Sequence, residues 1–453
     1  MGTSSLLIQD GTVVTSQGMV EADVLVRDEV IQALGQDLPA PDDANVVEAA
    51  GLLVLPGIID AHAHIELDTG IYQTPDSWFV ESRAAAFGGV TTVVDFATQF
   101  EGQALEAAVE ARLEEAAPSV IDYAFHVMVT DLPRGEEDRL GILPELGVPS
   151  IKLYTTYRPN YYADDATILR ILEAAGRYGL LTLVHCENDA LVTAQTEALV
   201  EAGKTSLRYH GAARPALAEE EAAARVLFLA DAVQAPVVIV HNSSARTSEL
   251  VAEARACGQE VYNETAPQYL ILDNRRYGGS EPWRYILQPP LRGPAHKERL
   301  WALLSQGQID MVITDHCDYT KEQKLEHDDF TRTPGGLPGM ETLLPLIATY
   351  AVDAGRIAWT DLVRLLSENP ARIHGLWPRK GALQPGADAD LVLYDPAVSS
   401  TLSADALHTI AGYTPYEGMR VKGRVVTTIR RGEILVHEGE FLSKEGRGVF
   451  LPR

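Results

Sequence analysis

Two histidines stand one residue apart at the end of a short apolar run. The run covers residues 52–61, and His62 and His64 follow it. Such a run is typical of a buried strand, in which successive side chains point to opposite faces, so both imidazoles would share one face. Imidazole nitrogens are good ligands for first-row metal ions. The pair predicts a metal site at the end of this strand, with a hydrogen-bonded surface pair as the alternative.

Several later strand-like runs end in residues that could bind or position a metal. These residues are Lys152, His185, His241 and Asp315. Imidazoles with a carboxylate suit zinc or a similar ion, and four histidines with one aspartate exceed the needs of one tetrahedral site. The set therefore indicates two metal ions. Lys152 stands apart, because a protonated ammonium has no lone pair for a metal, and its spacing alone favours a lysine that reaches solvent.

The elements that must position these residues alternate between strand and helix. Beyond the first run, strand-like segments lie at residues 91–97, 120–129, 149–154, 180–186, 237–241, 260–264 and 309–315. Segments rich in Ala, Glu, Leu and Arg with helical spacing separate most of them, as at 104–117, 166–178 and 218–233. Eight strand-helix units predict an α/β fold, a closed (β/α)8 TIM-like barrel whose chemistry lies at the carboxyl ends of its strands.

Both ends of the chain have the alternating pattern of short strands joined by tight turns. Residues 6–26 show it, and residues 389–395 and 424–429 repeat it. We therefore expect residues 1–54 and 376–453 to form one small β-sandwich domain, from both termini, with a carboxyl-terminal tail. Residues 55–375 would form the barrel.

Composition and charge exclude several kinds of partner. Apolar residues make up 46% of the 453 residues and charged residues 22%, as in globular proteins. A formal net charge of −27 argues against nucleic acid or an anionic membrane as a partner. Three cysteines form no paired framework, and the first residues lack the pattern of a secretory signal. We expect a cytoplasmic protein with no nucleic acid and no membrane partner.

A resemblance to a known family rests on several short motifs in order. The chain resembles the dihydropyrimidinases and hydantoinases, which are cyclic amidohydrolases of the amidohydrolase superfamily, over nearly its full length. The residues that carry the resemblance lie at 55–64 (LPGIIDAHAH), 83–92 (RAAAFGGVTT), 150–154 (SIKLY), 184–188 (VHCEN), 264–270 (ETAPQYL), 289–292 (PPLR), 314–317 (TDHC) and 369–372 (NPAR). Each motif alone is weak, but their order along the chain is specific.

The resemblance implies a role for each candidate ligand. His62, His64 and Asp315 match the ligands of one metal ion, and His185 and His241 match those of a second. Lys152 matches a lysine that family members carboxylate, so that an anionic carbamate bridges both ions. The implied cofactors are two divalent metal ions, for which zinc is expected, with N6-carboxylated Lys152 as the bridging ligand.

The same resemblance implies a reaction and its catalytic residues. A hydroxide held between the ions would attack a ring carbonyl carbon of a small cyclic amide. Tyr157 matches a tyrosine that stabilises the oxyanion, and Asp315 would carry the proton to the leaving ring nitrogen. Dihydropyrimidines, hydantoins and 5-substituted hydantoins would open to N-carbamoyl amino acids. The family also implies a homotetramer, or a homodimer, with tails exchanged between neighbours.

The chain departs from the family pattern near the expected substrate. Tyr157, Gln288 and Gly335 are the expected substrate-binding residues. Gln288 and Gly335 stand where the family commonly has Ser and Asn, and Cys186 stands where Ala is common. Because the contacts at 288 and 335 are expected to use the backbone, these changes bear on ring preference. The unusual segment 155–162 is expected to shape the pocket for the exocyclic group.

Three alternatives to a hydantoinase stay open at this point. Allantoinase is the nearest in chemistry. Dihydroorotase usually has an arginine two residues after the second histidine, where this chain has Glu66, whose carboxylate would repel an acidic substrate. The third alternative is a non-catalytic dihydropyrimidinase-like scaffold, but such relatives have lost metal ligands, and all six positions are present here.

Overall fold

The computed structural model describes residues 5–75 and 77–453. The amino-terminal segment forms five strands, which are β1 (Ser5–Thr15), β2 (Gly18–Arg27), β3 (Val30–Gly35), β4 (Ala44–Glu48) and β5 (Leu53–Pro56). The middle follows with β6 (Ile58–Asp60), β7 (Ala63–His64), β8 (Val90–Thr98), β9 (Asp122–Met128), β10 (Ser150–Tyr154), β11 (Leu181–His185), β12 (Val237–Ile239), β13 (Val261–Thr265), β14 (Met311–Val312) and β15 (His316–Cys317). The last strands are β16 (Leu391–Thr401), β17 (Arg420–Arg430), β18 (Glu433–His437) and β19 (Glu440–Phe441).

Helices lie between most of the middle strands and continue beyond them. They are α1 (Trp78–Phe87), α2 (Leu105–Ala116), α3 (Asp165–Arg177), α4 (Asp189–Glu201), α5 (His210–Ala213), α6 (Ala216–Val233), α7 (Ala245–Ala256), α8 (Pro267–Ile271), α9 (Pro294–Ser305), α10 (Lys321–Leu325), α11 (Leu343–Ile347), α12 (Trp359–Val363) and α13 (Asn369–Ile373). No helix in the described ranges is long and apolar enough to cross a bilayer.

The middle strands form the predicted barrel. Eight parallel strands pair in the order β14-β13-β12-β11-β10-β9-β8-β6. The first and last strands meet where the backbone N–H of Asp315 donates to the carbonyl of His62 at 2.9 Å, next to the short parallel pair β7–β15. The seam of the barrel is therefore at the candidate metal ligands.

The apolar run before His62 is two strands, where the sequence predicts one. Its first half, β5, pairs with β1 and β16 in the terminal sheet, whereas β6 pairs with β8 in the barrel. Gly57 separates them, and a Cβ atom there would lie 2.1 Å from the Thr91 hydroxyl oxygen. The close packing of the chain against β8 requires glycine where it passes from one sheet to the other.

The strands from both termini form a separate sheet, as the sequence predicts. All nine are joined by hydrogen bonds, in the order β19-β18-β17-β16-β5-β1-β2-β3 with β4 also on β1. A register shift between Ile8 and Gly11 divides β1, so that its first half pairs with β4 and its second half with β5. The sheet thereby surrounds its own apolar core, which includes Val24, Ile31 and Leu391. The exact domain boundaries stay a prediction.

A buried ionic cluster joins the barrel to the terminal sheet. Lys380 donates to Asp122 at the start of β9 and to Asp390 just before β16, both at 2.7 Å, and Asp388 lies 3.1 Å away. Its side chain is fully buried. Arg431 adds a hydrogen bond to Asp122 at 3.1 Å.

The carboxyl-terminal tail packs on the barrel of its own chain. Tyr123 N–H donates to Val449, and Leu451 N–H donates back to Tyr123. Leu451 is buried, and the Phe450 ring stacks on Phe125. Leu451 is therefore covered without a neighbouring subunit, and Val449 and Phe450 are half-buried.

Candidate functional site

The six candidate ligands meet at one end of the barrel. Five of them line a pocket of about 410 Å³, and they are His64, Lys152, His185, His241 and Asp315. His62 is fully buried beside them. Five of the six follow or end a parallel strand, and such strands have their carboxyl ends at the same rim; Lys152 is the middle residue of β10 and points into the pocket from within the strand.

One group gathers around Asp315. Its Oδ1 atom lies 3.4 Å from Nε2 of His62 and 3.5 Å from Nε2 of His64. Ligand atoms of these three residues all lie within 4.8 Å of one another. Nζ of Lys152 is 3.1 Å from Nε2 of His62, and the lysine is only 1% exposed. The solvent-reaching alternative for Lys152 is therefore wrong.

A second pair of imidazoles stands next to this group. Nδ1 of His185 lies 3.0 Å from Nε2 of His241. The ring centroids of His241 and His62 are 5.4 Å apart, so the two groups are continuous.

Two buried glutamates orient the histidines from behind. Glu264 accepts a hydrogen bond from Nδ1 of His62 at 2.5 Å, and Glu187 lies 2.9 Å from Nε2 of His185. Each contact uses the ring nitrogen away from the pocket, which leaves the other nitrogen with its lone pair toward the shared space. Glu264 also accepts from the backbone N–H of His241 at 3.1 Å.

Burial sets the charge of the candidate ligands. It lowers the pKa of His62 and His241 well below the ordinary histidine value, so these imidazoles are neutral at pH 7. Burial also lowers the pKa of Lys152 to about 8. For Asp315 burial alone would raise the pKa, but a hydrogen bond from His64 and electrostatic interactions with the surrounding histidines and Lys152 lower it to about 2.

Three predicted site residues have left-handed backbone conformations. The φ angles are 74° at Tyr157, 38° at His241 and 52° at Asp315. Residues other than glycine adopt this region at a cost, and such residues cluster where a side chain must be aimed. Next to Asp315 a side chain takes the place of a strand hydrogen bond, because the Thr314 N–H donates to the Asp60 carboxylate at 3.0 Å.

The donor set fits a pair of divalent ions. It combines neutral imidazoles, an ionised carboxylate and an amine of lowered pKa in one buried place. The nitrogen atoms that approach Asp315 or one another are Nε2 of His62, His64 and His241 and Nδ1 of His185. Neutral nitrogen and anionic oxygen donors are those that zinc and similar ions prefer.

The expected substrate-binding residues lie around the same space. Tyr157, Gln288 and Gly335 all line the pocket. The Tyr157 ring lies 5.0 Å from that of His185, between centroids. Apolar and aromatic residues form the outer part of the pocket, and they include Leu67, Ile71, Tyr72, Tyr161 and Phe330. The segment 155–162 contributes Tyr157, Arg158, Asn160 and Tyr161 to the lining.

Sequence reasoning overlooks Arg214, which supports the second histidine pair. Its Nε donates to Glu187 at 3.0 Å, and its guanidinium lies 5.1 Å from the centre of the Tyr157 ring. It thus holds Glu187 on His185 and packs on Tyr157. Its position in the sequence, just before Pro215 and outside any strand end, has no pattern that indicates this role.

A second cluster of possible ligands does not fit a metal. Glu81, His316 and Asp318 lie close together and are buried. The Nδ1 atom of His316 accepts a hydrogen bond from the backbone N–H of Gly339 at 3.1 Å. A neutral imidazole that accepts at Nδ1 has its proton on Nε2, which faces Glu81 at 3.3 Å. Nε2 therefore carries the proton and has no lone pair to offer an ion.

The chain is similar to known proteins over nearly its whole length. The model of the amidohydrolase family matches residues 53–435. The D-phenylhydantoinase of Escherichia coli O1:K1 / APEC is 40% identical over 453 residues, which cover 99% of this chain and 98% of that protein.

Solved structures agree with this similarity. The dihydropyrimidinase from Brevibacillus agri NCHU1002 superposes with a TM-score of 0.97 at 36% identity, covering 99% of this chain and 98% of that one. The L-hydantoinase (dihydropyrimidinase) from Arthrobacter aurescens gives a TM-score of 0.90 at 28% identity, covering 99% of both chains.

Proposed function

Because the chain belongs to the amidohydrolase family, we propose that it is a cyclic amidohydrolase that opens hydantoin and dihydropyrimidine rings by hydrolysis. The products are N-carbamoyl amino acids. The observation that carries the proposal is the convergence of six metal-ligand candidates on one pocket, in a chain similar over its full length to a protein named D-phenylhydantoinase. The small cyclic amide is therefore the proposed partner.

We propose that the pocket holds two divalent metal ions, with zinc as the ion. His62, His64 and Asp315 would hold one, and His185 and His241 the other. When bound, the ions make water acidic enough to act as a nucleophile at neutral pH and polarise the ring carbonyl.

We propose further that Lys152 is N6-carboxylated and binds between the two groups. Carbon dioxide adds only to the neutral amine, and a proton is released as the carbamate forms. The pKa of about 8, which burial gives Lys152, keeps part of the side chain neutral near pH 7. The product is an anion with oxygen donors, which would suit a place between two cations far better than an ammonium does.

Two side chains would perform the proton and charge steps of the hydrolysis. Burial raises the pKa of Tyr157, so its hydroxyl keeps its proton and can donate to the carbonyl oxygen as negative charge develops there. Asp315, with a pKa of about 2, is ionised and can accept the proton of the attacking water. It would then deliver this proton to the ring nitrogen as the C–N bond breaks.

The outer pocket suits a 5-aryl or 5-alkyl substituent. Phe330 and Leu67 offer apolar surface, and the Tyr72 hydroxyl donates to the Arg332 carbonyl at 2.5 Å, which joins two loops at the mouth. We propose that D-5-substituted hydantoins are preferred, since the chain is more similar to a D-phenylhydantoinase than to an L-hydantoinase.

We also propose a cytoplasmic homotetramer, or a homodimer. Leu217 and Phe228 support an association between copies, because they are 60% and 77% exposed and lie three turns apart on the same side of α6.

The three cysteines are unpaired, as expected in a reducing compartment. Sedimentation velocity and cell fractionation test these two statements, and a monomer or a secreted protein would contradict them.

One experiment tests the function and the metal centre together. Metal content is measured on the wild type and on Lys152→Ala, beside ring opening of dihydrouracil, hydantoin, 5-phenylhydantoin and allantoin. We expect about two metal ions per wild-type chain, opening of the first three rings, and loss of most metal and activity in the variant. Opening of allantoin alone would contradict the hydantoinase assignment. Full metal content in Lys152→Ala would contradict the bridging role.

A further inference from the structure

Among residues 5–75 and 77–453, three lysines have fully buried side chains, and one of them has an unusual environment. Lys380 is surrounded by aspartates, and Lys152 belongs to the candidate metal centre. Lys324, on the short helix α10, has neither kind of neighbour. It is fully buried, and within the described part of the chain no carboxylate forms an ion pair with it. A buried lysine without a counter-ion costs free energy, so its contacts need an explanation.

The ammonium of Lys324 binds three backbone carbonyl oxygens. Its Nζ atom donates to Ile286 at 2.6 Å, to Pro334 at 2.8 Å and to Gly336 at 2.9 Å. An ammonium has three N–H donors, so all of them are used. Burial lowers the pKa of Lys324 to about 7, but the three oxygens favour the charged form, since a neutral amine offers only two donors.

The three carbonyls belong to two chain segments that form one side of the pocket. We call residues 286–288 and 334–336 the pocket wall. Ile286 precedes Leu287 and Gln288, which line the pocket, and Pro334 and Gly336 are the two neighbours of Gly335. Apart from Lys324, the segments are joined by one backbone bond, from Gly336 N–H to the Ile286 carbonyl at 3.1 Å.

The wall lines the same pocket as the candidate metal ligands, so its position affects how a ring is seated. Its two segments come from different parts of the chain, and neither is part of a barrel strand. Gly336 also approaches Cys317 so closely that an added Cβ would lie 2.6 Å from the Cys317 Cβ. A small displacement of either segment would therefore change the space available beside Gln288 and Gly335.

We propose that Lys324 is a positioning residue for substrate binding, which fastens the two segments of the pocket wall to each other from behind. It does not touch the substrate. It holds the backbone and the Gln288 side chain in the arrangement that receives the ring, and this inference rests on the proposed function. Because the ring meets the wall both before and during hydrolysis, the wall contributes to KM more than to kcat.

The test compares Lys324→Met with Lys321→Met in the metal-loaded enzyme. Lys321 begins the same helix and is exposed, so its variant controls for the loss of a lysine there. We expect Lys324→Met to raise KM for 5-phenylhydantoin by about 10-fold or more with kcat changed less than about 3-fold, and Lys321→Met to behave as the wild type. Lys324→Arg, which keeps the charge, should lie between the two.

A folded Lys324→Met enzyme with wild-type metal content and wild-type KM would overturn the proposal. Wild-type protein that opens none of the rings would instead overturn the proposed function, so the two failures differ. If the methionine variant does not fold, hydrogen exchange on the wild type tests whether the two segments of the pocket wall are held together. We expect slow exchange of the Gly336 amide, and exchange as fast as that of an open loop would contradict the fastening.

Discussion

Because residue 335 is a glycine without a side chain, there is room beside it for the carboxamide of Gln288. A Cβ atom on Gly335 would lie 1.7 Å from Oε1 and 2.3 Å from Cδ of Gln288. Any larger residue at 335 must therefore displace Gln288. The two departures from the family pattern are linked, and they act as one unit in the pocket wall.

We expect Gly335→Ala to raise KM for hydantoins because it expels the Gln288 carboxamide from its place. In a Gln288→Ser background the same change should have little further effect, since the space is then empty. The four proteins form a double-mutant cycle, and a coupling of about 1 kcal/mol or more is expected from their KM values. Equal effects of Gly335→Ala in both backgrounds would show that the residues act independently.

The sequence predicts the residues of the site to different degrees. His62, His64, His185, His241 and Asp315 could be found because strand ends and ligand types are visible in the sequence. Lys152 could not, since nothing in its spacing indicates a buried position, and only the family resemblance suggested it. Lys324 escapes any pattern, because its partners are backbone carbonyls, which every residue has.

Helix α2 supports the loop that follows the two histidines. Arg112 on this helix donates from Nε to Asp95 at 3.0 Å and from Nη1 to the Glu66 carbonyl at 3.3 Å, and its Nη2 contacts the Ile65 carbonyl. Asp95 in turn accepts from the Ile65 N–H at 2.8 Å. The helix thus fixes the backbone directly after His64.

We expect Arg112→Met to weaken metal binding by about 10-fold to 100-fold, because the loop that aims His64 loses its anchor. Glu110→Met, an exposed change on the same helix, should leave metal binding unaltered. Competition with a chelator measures both variants. Wild-type affinity in a folded Arg112→Met protein would exclude a role of α2 in the site.

Some elements can be predicted from the sequence more closely than others. The segment 166–178 predicts α3 (Asp165–Arg177) to within one residue, because helical spacing and the capping Asp164 are local signals. The segment 309–315, in contrast, contains only the two residues of β14. Its last residues leave the ladder, since Asp315 turns to a left-handed φ of 52° and Thr314 binds Asp60. Such contacts join residues that are distant in sequence.

The junction between the barrel and the terminal sheet depends on charge. Burial disfavours the ammonium of Lys380, but Asp390, Asp122 and Asp388 raise its pKa above the ordinary value. Burial would raise the pKa of Asp122, but Lys380, Arg431 and Arg430 lower it below the ordinary value. Asp122 therefore stabilises the fold above about pH 4, and this contribution is lost as the pH falls through its lowered pKa.

We expect Lys380→Met to destabilise the protein by about 3–5 kcal/mol at pH 7, because the aspartates stay buried without their cation. The difference from the wild type should shrink as the pH falls toward 4, because Asp122 and Asp390 take up protons in the variant once they are buried without their cation. Thermal unfolding across this pH range measures it, with Lys444→Met as an exposed control. A difference independent of pH would mean that packing, and not charge, holds the junction.

The seam of the barrel also determines when a growing chain can finish folding. Asp60 and Thr314 bond across the seam although they are 254 residues apart, so the barrel cannot close on the ribosome until most of the protein has been made. One edge of β5 waits longer still, because it pairs with β16 near the other end of the chain. At about 5–20 residues per second, an unpaired strand edge is thus exposed for roughly tens of seconds during synthesis, and we expect a chaperone to bind there.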